Sequence, residues 1–76
     1  MKAVVKVTLR KGVLDPQGKA IESALHALGF AEVGDVRQGK FIEIDVPEGT
    51  SKDRLKEMCQ KLLANPVMET FEVSVN

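Results

Sequence analysis

Hydrophobic and polar residues alternate along the first ten positions of the chain, which is the two-residue period of a half-buried strand. Val4 is the one apolar residue on the otherwise polar face of this segment, Lys2–Arg10. The opposite face is wholly apolar and consists of Ala3, Val5, Val7 and Leu9. The pattern therefore predicts a first strand with one face turned toward a core.

A helical period replaces the alternation over Asp15–Leu28, because apolar residues recur there at i, i+3, i+4 and i+7. Asp15 suits the N-cap, and Pro16 suits the first helical position, where its missing N–H is not needed. Gly29 suits the position after the helix, with Phe30 folding back onto the last turn in a Schellman ending. The apolar stripe of this predicted helix consists of Ile21, Ala24, Leu25 and Leu28.

The next stretch, Ala31–Val46, has an extended pattern that is interrupted at Gly39. We expect one long bent middle strand, or two strands split at that glycine. A tight hairpin is disfavoured, because a turn at Gln38–Gly39 would place Arg37 opposite Lys40, and facing like charges destabilise a strand pair.

A turn at Pro47–Gly49 precedes a second predicted helix, which we expect Thr50 to cap, with Asp53 at the third helical position. Pro66 disfavours helical geometry in the residue before it, so this helix should end near there. A last strand is predicted over Val67–Val75. The apolar stripe of the second helix consists of Leu55, Met58, Cys59, Leu62 and Leu63.

The element order is therefore β-α-β-α-β in a single domain, residues 1–76. Each helix has one apolar face, so the pattern predicts an α+β two-layer sandwich with both helices on one face of the sheet. The other face keeps three apolar residues, Val4, Phe41 and Met68, and the sheet has two unprotected edges. These features indicate self-association, with a dimer joined through the sheets.

Composition narrows the function classes. A chain of 76 residues buries only roughly 60% of its unfolded surface, so a second chain would help to stabilise it. The net charge is zero and the three aromatics are all Phe, which disfavours nucleic-acid binding. The single Cys59 cannot form an intramolecular disulfide, so we expect a cytoplasmic protein. The pattern shows neither a signal peptide nor a run of about 20 apolar residues that could span a membrane.

Candidate reactive residues are few. His26 is the only histidine, and no carboxylate or cysteine is spaced to join it in a catalytic or metal site. Cys59 lies within an apolar stripe and is better interpreted as a buried side chain than as a nucleophile. Glu43 and Asp45 share a strand face, where a solvated surface is favoured over an acid–base pair. We predict no catalytic, cofactor-binding or metal-binding residue.

Two short stretches contain proline or glycine, residues with unusual backbone conformations, beyond what their structural roles require. Asp15–Gly18, D-P-Q-G, opens the first helix, where free N–H groups can hold an anion, although a turn with a cap is the favoured interpretation. Arg37–Lys40, R-Q-G-K, places two cations around a glycine. It could bind an acidic partner or a phosphate, or it could be a solvated turn, and the residues leave both open.

Three motifs, V-L-D-P-x-G, V-R-x-G-K and L-L-A-N-P-V-x-E, together resemble the PurS family, the small subunit of phosphoribosylformylglycinamidine synthase. The resemblance covers essentially the whole chain, in order. It implies a non-catalytic subunit in purine biosynthesis, within an ATP-dependent ligase complex. In that complex a large synthetase subunit uses ATP and Mg, and a glutaminase subunit releases ammonia from glutamine. The small protein is implied to be a homodimer, with a tetramer left open, that bridges these two partners and supports ammonia transfer.

The resemblance adds a hypothesis about which residues touch the larger subunits: Asp15, Pro16, Gln17, Gly18, Arg37, Gly39 and Lys40. The runner-up is a ferredoxin-like regulatory module that senses a small ligand, an amino acid or a nucleotide, at a dimer interface. A nucleic-acid module and a stand-alone enzyme using Glu43 and Asp45 are less favoured.

Overall fold

The computed structural model describes residues 1–75, so Asn76 of the predicted domain lies outside the described residues. The order β-α-β-α-β and the α+β class are confirmed. The elements, in chain order, are β1 (Lys2–Leu9), α1 (Pro16–Ala27), β2 (Gly39–Asp45), α2 (Lys52–Met58), a π-helical turn (Cys59–Leu63) and β3 (Glu69–Val75).

The first strand forms the centre of the sheet. The strand order is β2-β1-β3, and β1 is antiparallel to both neighbours. Val5 lies opposite Ile42 on one side and Val73 on the other, so the apolar faces of the three strands coincide. Because alternate side chains point to opposite faces, the fully buried residues of β1 share the predicted apolar face: Ala3, Val5 and Val7.

One face of the sheet is covered by α2 and the π turn. Leu55 and Cys59 are fully buried, and Ala64 follows them into the same core. The N–H of Ala64 donates to the carbonyl of Cys59 at 2.9 Å, the i to i+5 bond of a π turn. Leu62 is 83% exposed. Its predicted place in the buried stripe is wrong, because the wider turn rotates it toward solvent.

The two ends of α1 form as the sequence predicts. Asp15 is the N-cap and Pro16 the first helical residue. At the other end Gly29 has φ +99°, and the N–H of Phe30 donates to the carbonyl of Leu25 at 3.0 Å, as in a Schellman motif.

The start of α2 differs by one residue from the prediction. Ser51 is the N-cap, and its hydroxyl accepts a hydrogen bond from the N–H of Arg54 at 3.2 Å. Thr50 instead donates its hydroxyl to the carbonyl of Pro47 at 2.7 Å, so it closes the preceding turn. Asp53 is accordingly the second helical residue, not the third.

The predicted long strand over residues 31–46 is wrong in its first half. The pairing of β1 with β2 ends at Thr8 opposite Gly39, because β1 then turns away and offers no further partner. Residues 31–38 therefore form neither a strand nor a hairpin arm, and the chain enters the sheet at Gly39. The last strand also begins later than predicted, at Glu69, because residues 65–68 form a turn.

The expectation that both helices cover the sheet holds for α2 only. No residue of α1 belongs to the core, and Gly18 is its only buried residue. The helix and the segment after it, residues 16–36, form what we call the arm. The described chain measures 48 × 25 × 14 Å, so it is long and thin. Most of the apolar stripe of α1 is consequently exposed, with Leu28 at 73%.

Candidate functional site

The two stretches that the sequence singles out meet at the carboxylate of Asp15. The N–H of Gly18 donates to its Oδ1 at 2.9 Å, and the N–H of Gln38 donates to its Oδ2 at 2.7 Å. Asp15 is only 5% exposed. A single buried carboxylate therefore joins the start of α1 to the residue before β2, and we call this region the junction.

The hydrogen bonds at the junction favour the ionised form of Asp15. The N–H of Gln38 makes the larger contribution and the N–H of Gly18 the next, and together they lower the pKa of Asp15 below its ordinary value. The positive charge of Arg37 acts in the same direction. The favoured turn-and-cap interpretation of D-P-Q-G is confirmed, because the carboxylate itself occupies the helix start.

Side chains from the second stretch reinforce the junction. The guanidinium of Arg37 donates to the carbonyl of Val13 at 3.0 Å and to the carbonyl of Arg10 at 3.3 Å. The amide of Gln38 donates to the side-chain oxygen of Gln17 at 2.8 Å. These contacts tie the turn after β1 and the first turn of α1 to the entry of β2.

Two glycines are required by close backbone packing within the chain. A Cβ at Gly18 would collide with the carbonyl oxygen of Val36 and lie 2.5 Å from Oδ2 of Asp15. A Cβ at Gly39 would lie 2.5 Å from the carbonyl oxygen of Val7. The neighbour that packs against each glycine is therefore this chain's own backbone.

The seven predicted partner residues lie together at the junction but divide by exposure. Asp15 and Gly18 are buried and shape the surface from beneath. The exposed members, which a partner could reach, are Pro16, Gln17, Arg37, Gly39 and Lys40. Their contact with a partner stays a prediction.

A small cavity of about 130 Å³ opens at the junction beside these exposed residues. Its walls include Leu9, Gln17 and Gln38. Lys40 and Glu69 close one side, with their charged atoms 3.8 Å apart. Polar and charged groups thus surround a depression at the surface.

The remaining candidate residues make contacts within the chain or are buried in its core. His26 places Nε2 2.8 Å from the carbonyl oxygen of Val33 and so ties α1 to the rest of the arm. Cys59 is fully buried, as predicted, and burial raises the pKa of its thiol. On the open face Lys2 forms an ion pair with Glu43, with its Nζ 2.9 Å from Oε2. Asp45 lies directly opposite Lys2 in the sheet. Hydrogen bonding to Glu43 raises the pKa of Lys2.

Over residues 1–75, no three His, Cys, Asp or Glu side chains gather in a group that could hold a metal ion. No helix in the same part of the chain is long and apolar enough to cross a bilayer.

Gln38 is the residue of the junction that the sequence did not reveal. Its backbone and its side chain both bond to residues at the start of α1, more than 20 positions earlier. No periodic pattern marks a contact of that length. The only available signal was its place beside Gly39, in a bend that already drew attention.

The sheet order and the two helices define a class: a small antiparallel α+β chain of the kind that PurS structures share. The model of the PurS family, described as phosphoribosylformylglycinamidine (FGAM) synthase, matches residues 2–76. The PurS subunit of that synthase from Methanocaldococcus jannaschii is 46% identical over 78 residues, which cover 97% of this chain and 93% of the relative. The chain belongs to the PurS family.

Solved structures agree with this assignment. Bacillus subtilis PurS has a TM-score of 0.89 and 47% identity, with 99% of this chain and 96% of that chain covered. A chain in the structure of PurLQS from Thermotoga maritima has a TM-score of 0.74 and 30% identity, with 96% of this chain and 93% of that chain covered.

Proposed function

We propose that this chain is a non-catalytic subunit of phosphoribosylformylglycinamidine synthase that links the synthetase and glutaminase subunits and supports ammonia transfer between them. The likeness to a chain of the Thermotoga maritima PurLQS structure supports such a complex. The structural observation that carries the proposal is the arm. It exposes apolar side chains that a lone chain leaves in water, and such surfaces are typical of proteins that bind other proteins.

The arm's apolar stripe supports a homodimer. The stripe on α1 and its C-cap includes Ile21, Ala24 and Leu28, all exposed. On the same chain an open apolar groove of about 370 Å³ lies between β2 and α2, lined by Ile44, Met58, Leu62 and Leu63 among others.

A second copy would cover both surfaces at once. In a two-fold arrangement each stripe fills the groove of the other chain, and the two contacts are identical by symmetry. This moves the expected dimer contact from the open sheet face, where Phe41 is 61% exposed among ion-paired residues, to the arm.

The exposed residues of the junction are the proposed contact with the larger subunits. Gln17, Arg37 and Lys40 are held by hydrogen bonds or an ion pair, so their positions are defined before a partner arrives. Contacts that are already ordered lose less conformational entropy on binding.

Co-sedimentation tests the proposal. The large synthetase and the glutaminase are mixed with and without this protein, and joint sedimentation is expected only when it is present. The variant Lys40→Glu should weaken the joint peak, whereas Gln60→Glu, which adds a negative charge on the exposed side of the π turn away from the junction, should not. If the two large subunits sediment together equally well without this protein, the linking role is excluded.

A further inference from the structure

The outer edge of β3 has unpaired backbone groups. The N–H of Arg10 donates to the carbonyl of Met68 at 2.7 Å, directly beyond the last register pair of β1 and β3. Hydrogen-bonded pairs alternate in an antiparallel ladder, so Glu72 turns its backbone groups toward β1. Phe71 and Val73 therefore direct their N–H and C=O groups outward. The described sheet has three strands, and none lies beyond this edge.

An open hollow of about 530 Å³ runs along this edge. Lys6 borders it from the open face of the sheet, and Lys52 and Lys56 border it from α2. Phe71 and Val73 also line it, while packing against the buried core. The hollow therefore combines strand-pairing groups with positive charge.

The three lysines are exposed and form no ion pair with any residue from 1 to 75. Other lysines of the chain do pair: Lys2 with Glu43, for example, and Lys61 with Glu57. Glu72 is the single acidic residue that lines the hollow. The chain as a whole has zero net charge, so the excess positive charge is a local feature of this edge.

The positive charge of the hollow indicates which kind of chain could pair with the edge of β3. The three lysines lie beside β3, on β1 and α2, and a second copy would bring the same three charges to the shared edge, which deters pairing of β3 with β3 of another copy. An acidic extended segment meets no such repulsion, and it would gain main-chain hydrogen bonds together with charge attraction.

We propose that the free edge of β3 takes an extended acidic segment of a partner protein as a fourth strand, with Lys6, Lys52 and Lys56 binding its carboxylates. This inference rests on the proposed function, which supplies a protein partner. It adds a second contact surface, distinct from the junction and from the arm.

Hydrogen exchange on the assembled complex tests the inference. The protein is compared alone and in complex with the large synthetase and the glutaminase, and the amides of Phe71 and Val73 are expected to become protected on assembly. The double variant Lys52→Glu, Lys56→Glu should weaken assembly by on the order of tenfold, with a steeper loss at low salt. Lys11→Glu, in the turn after β1, is a single charge reversal outside this edge, and it should weaken assembly less than Lys52→Glu or Lys56→Glu alone does.

The outcomes separate the two proposals. If the complex assembles while these amides still exchange freely and the double variant binds normally, the edge inference is overturned and the linking role stands. If these amides are already protected in the isolated protein, increasingly so with concentration, a second copy is the occupant and the inference is wrong. If no complex forms, the proposed function fails and the inference fails with it.

Discussion

The N–H of Gln38 donates to Oδ2 of Asp15 at 2.7 Å, and this bond joins the start of α1 to the entry of β2. The other oxygen of the same carboxylate caps α1 through Gly18. One side chain thus defines both where the arm begins and where the central sheet resumes.

We expect Asp15→Asn to destabilise the protein. An amide has one acceptor oxygen, so its NH₂ group would face one of the two backbone N–H donors and leave that buried donor unsatisfied. The urea midpoint should fall at pH 7. An unchanged midpoint would show that the carboxylate does not hold the junction.

The same residue predicts a pH dependence. Because the pKa of Asp15 is lowered on folding, its stabilising contribution is present above the ordinary carboxyl pKa of about 4 and is lost as pH falls through the folded value. The difference in urea midpoint between the unaltered protein and Asp15→Asn should therefore shrink below pH 4. A difference that stays constant down to pH 2 would contradict this assignment.

Two glycines provide a matched pair for the packing argument. Gly39→Ala should cost about 1–3 kcal/mol, because the new Cβ meets the carbonyl of Val7 in the neighbouring strand. Gly34→Ala adds the same methyl group in open space and should be neutral or stabilising by about 0.5 kcal/mol. Thermal unfolding of both variants checks the contrast, and equal losses would refute it.

The apolar stripe of α1 predicts a second matched pair. Ala24 lies on the stripe and Ser23 lies toward the opposite side of the helix, and both are exposed in the single chain. Ala24→Glu should raise the dimer dissociation constant about tenfold, near 1.4 kcal/mol, while Ser23→Glu leaves it unchanged. Sedimentation equilibrium gives both values. A monomeric unaltered protein, or equal effects of the two changes, would argue against a dimer through the arm.

Local signals explain which parts of the fold were predictable. The caps of α1 depend on residues within a few positions of each helix end, and Asp15, Pro16 and Gly29 all act as predicted. The buried face of β1 followed from simple alternation. Apart from Gln38, the residues that meet at the junction were singled out by the sequence, because proline and glycine mark D-P-Q-G and glycine marks R-Q-G-K.

The errors share a different cause. The middle strand begins at Gly39 because β1 has no residue that pairs with the segment before it. The sequence of the middle strand does not encode where its partner strand ends. Leu62 leaves the buried stripe because of a π turn that a regular helical period does not anticipate. α1 has the amphipathic pattern of a helix that packs on a sheet. The pattern does not indicate whether the surface that it packs against belongs to its own chain or to another.

The linking role is tested most directly by comparing glutamine-driven with ammonia-driven turnover of the two larger subunits, each with and without this protein. The account predicts that omitting the protein lowers the glutamine-driven rate at least about tenfold, while the ammonia-driven rate changes little, because only the first requires ammonia to pass between two chains. A glutamine-driven rate that is undiminished without the protein would contradict it.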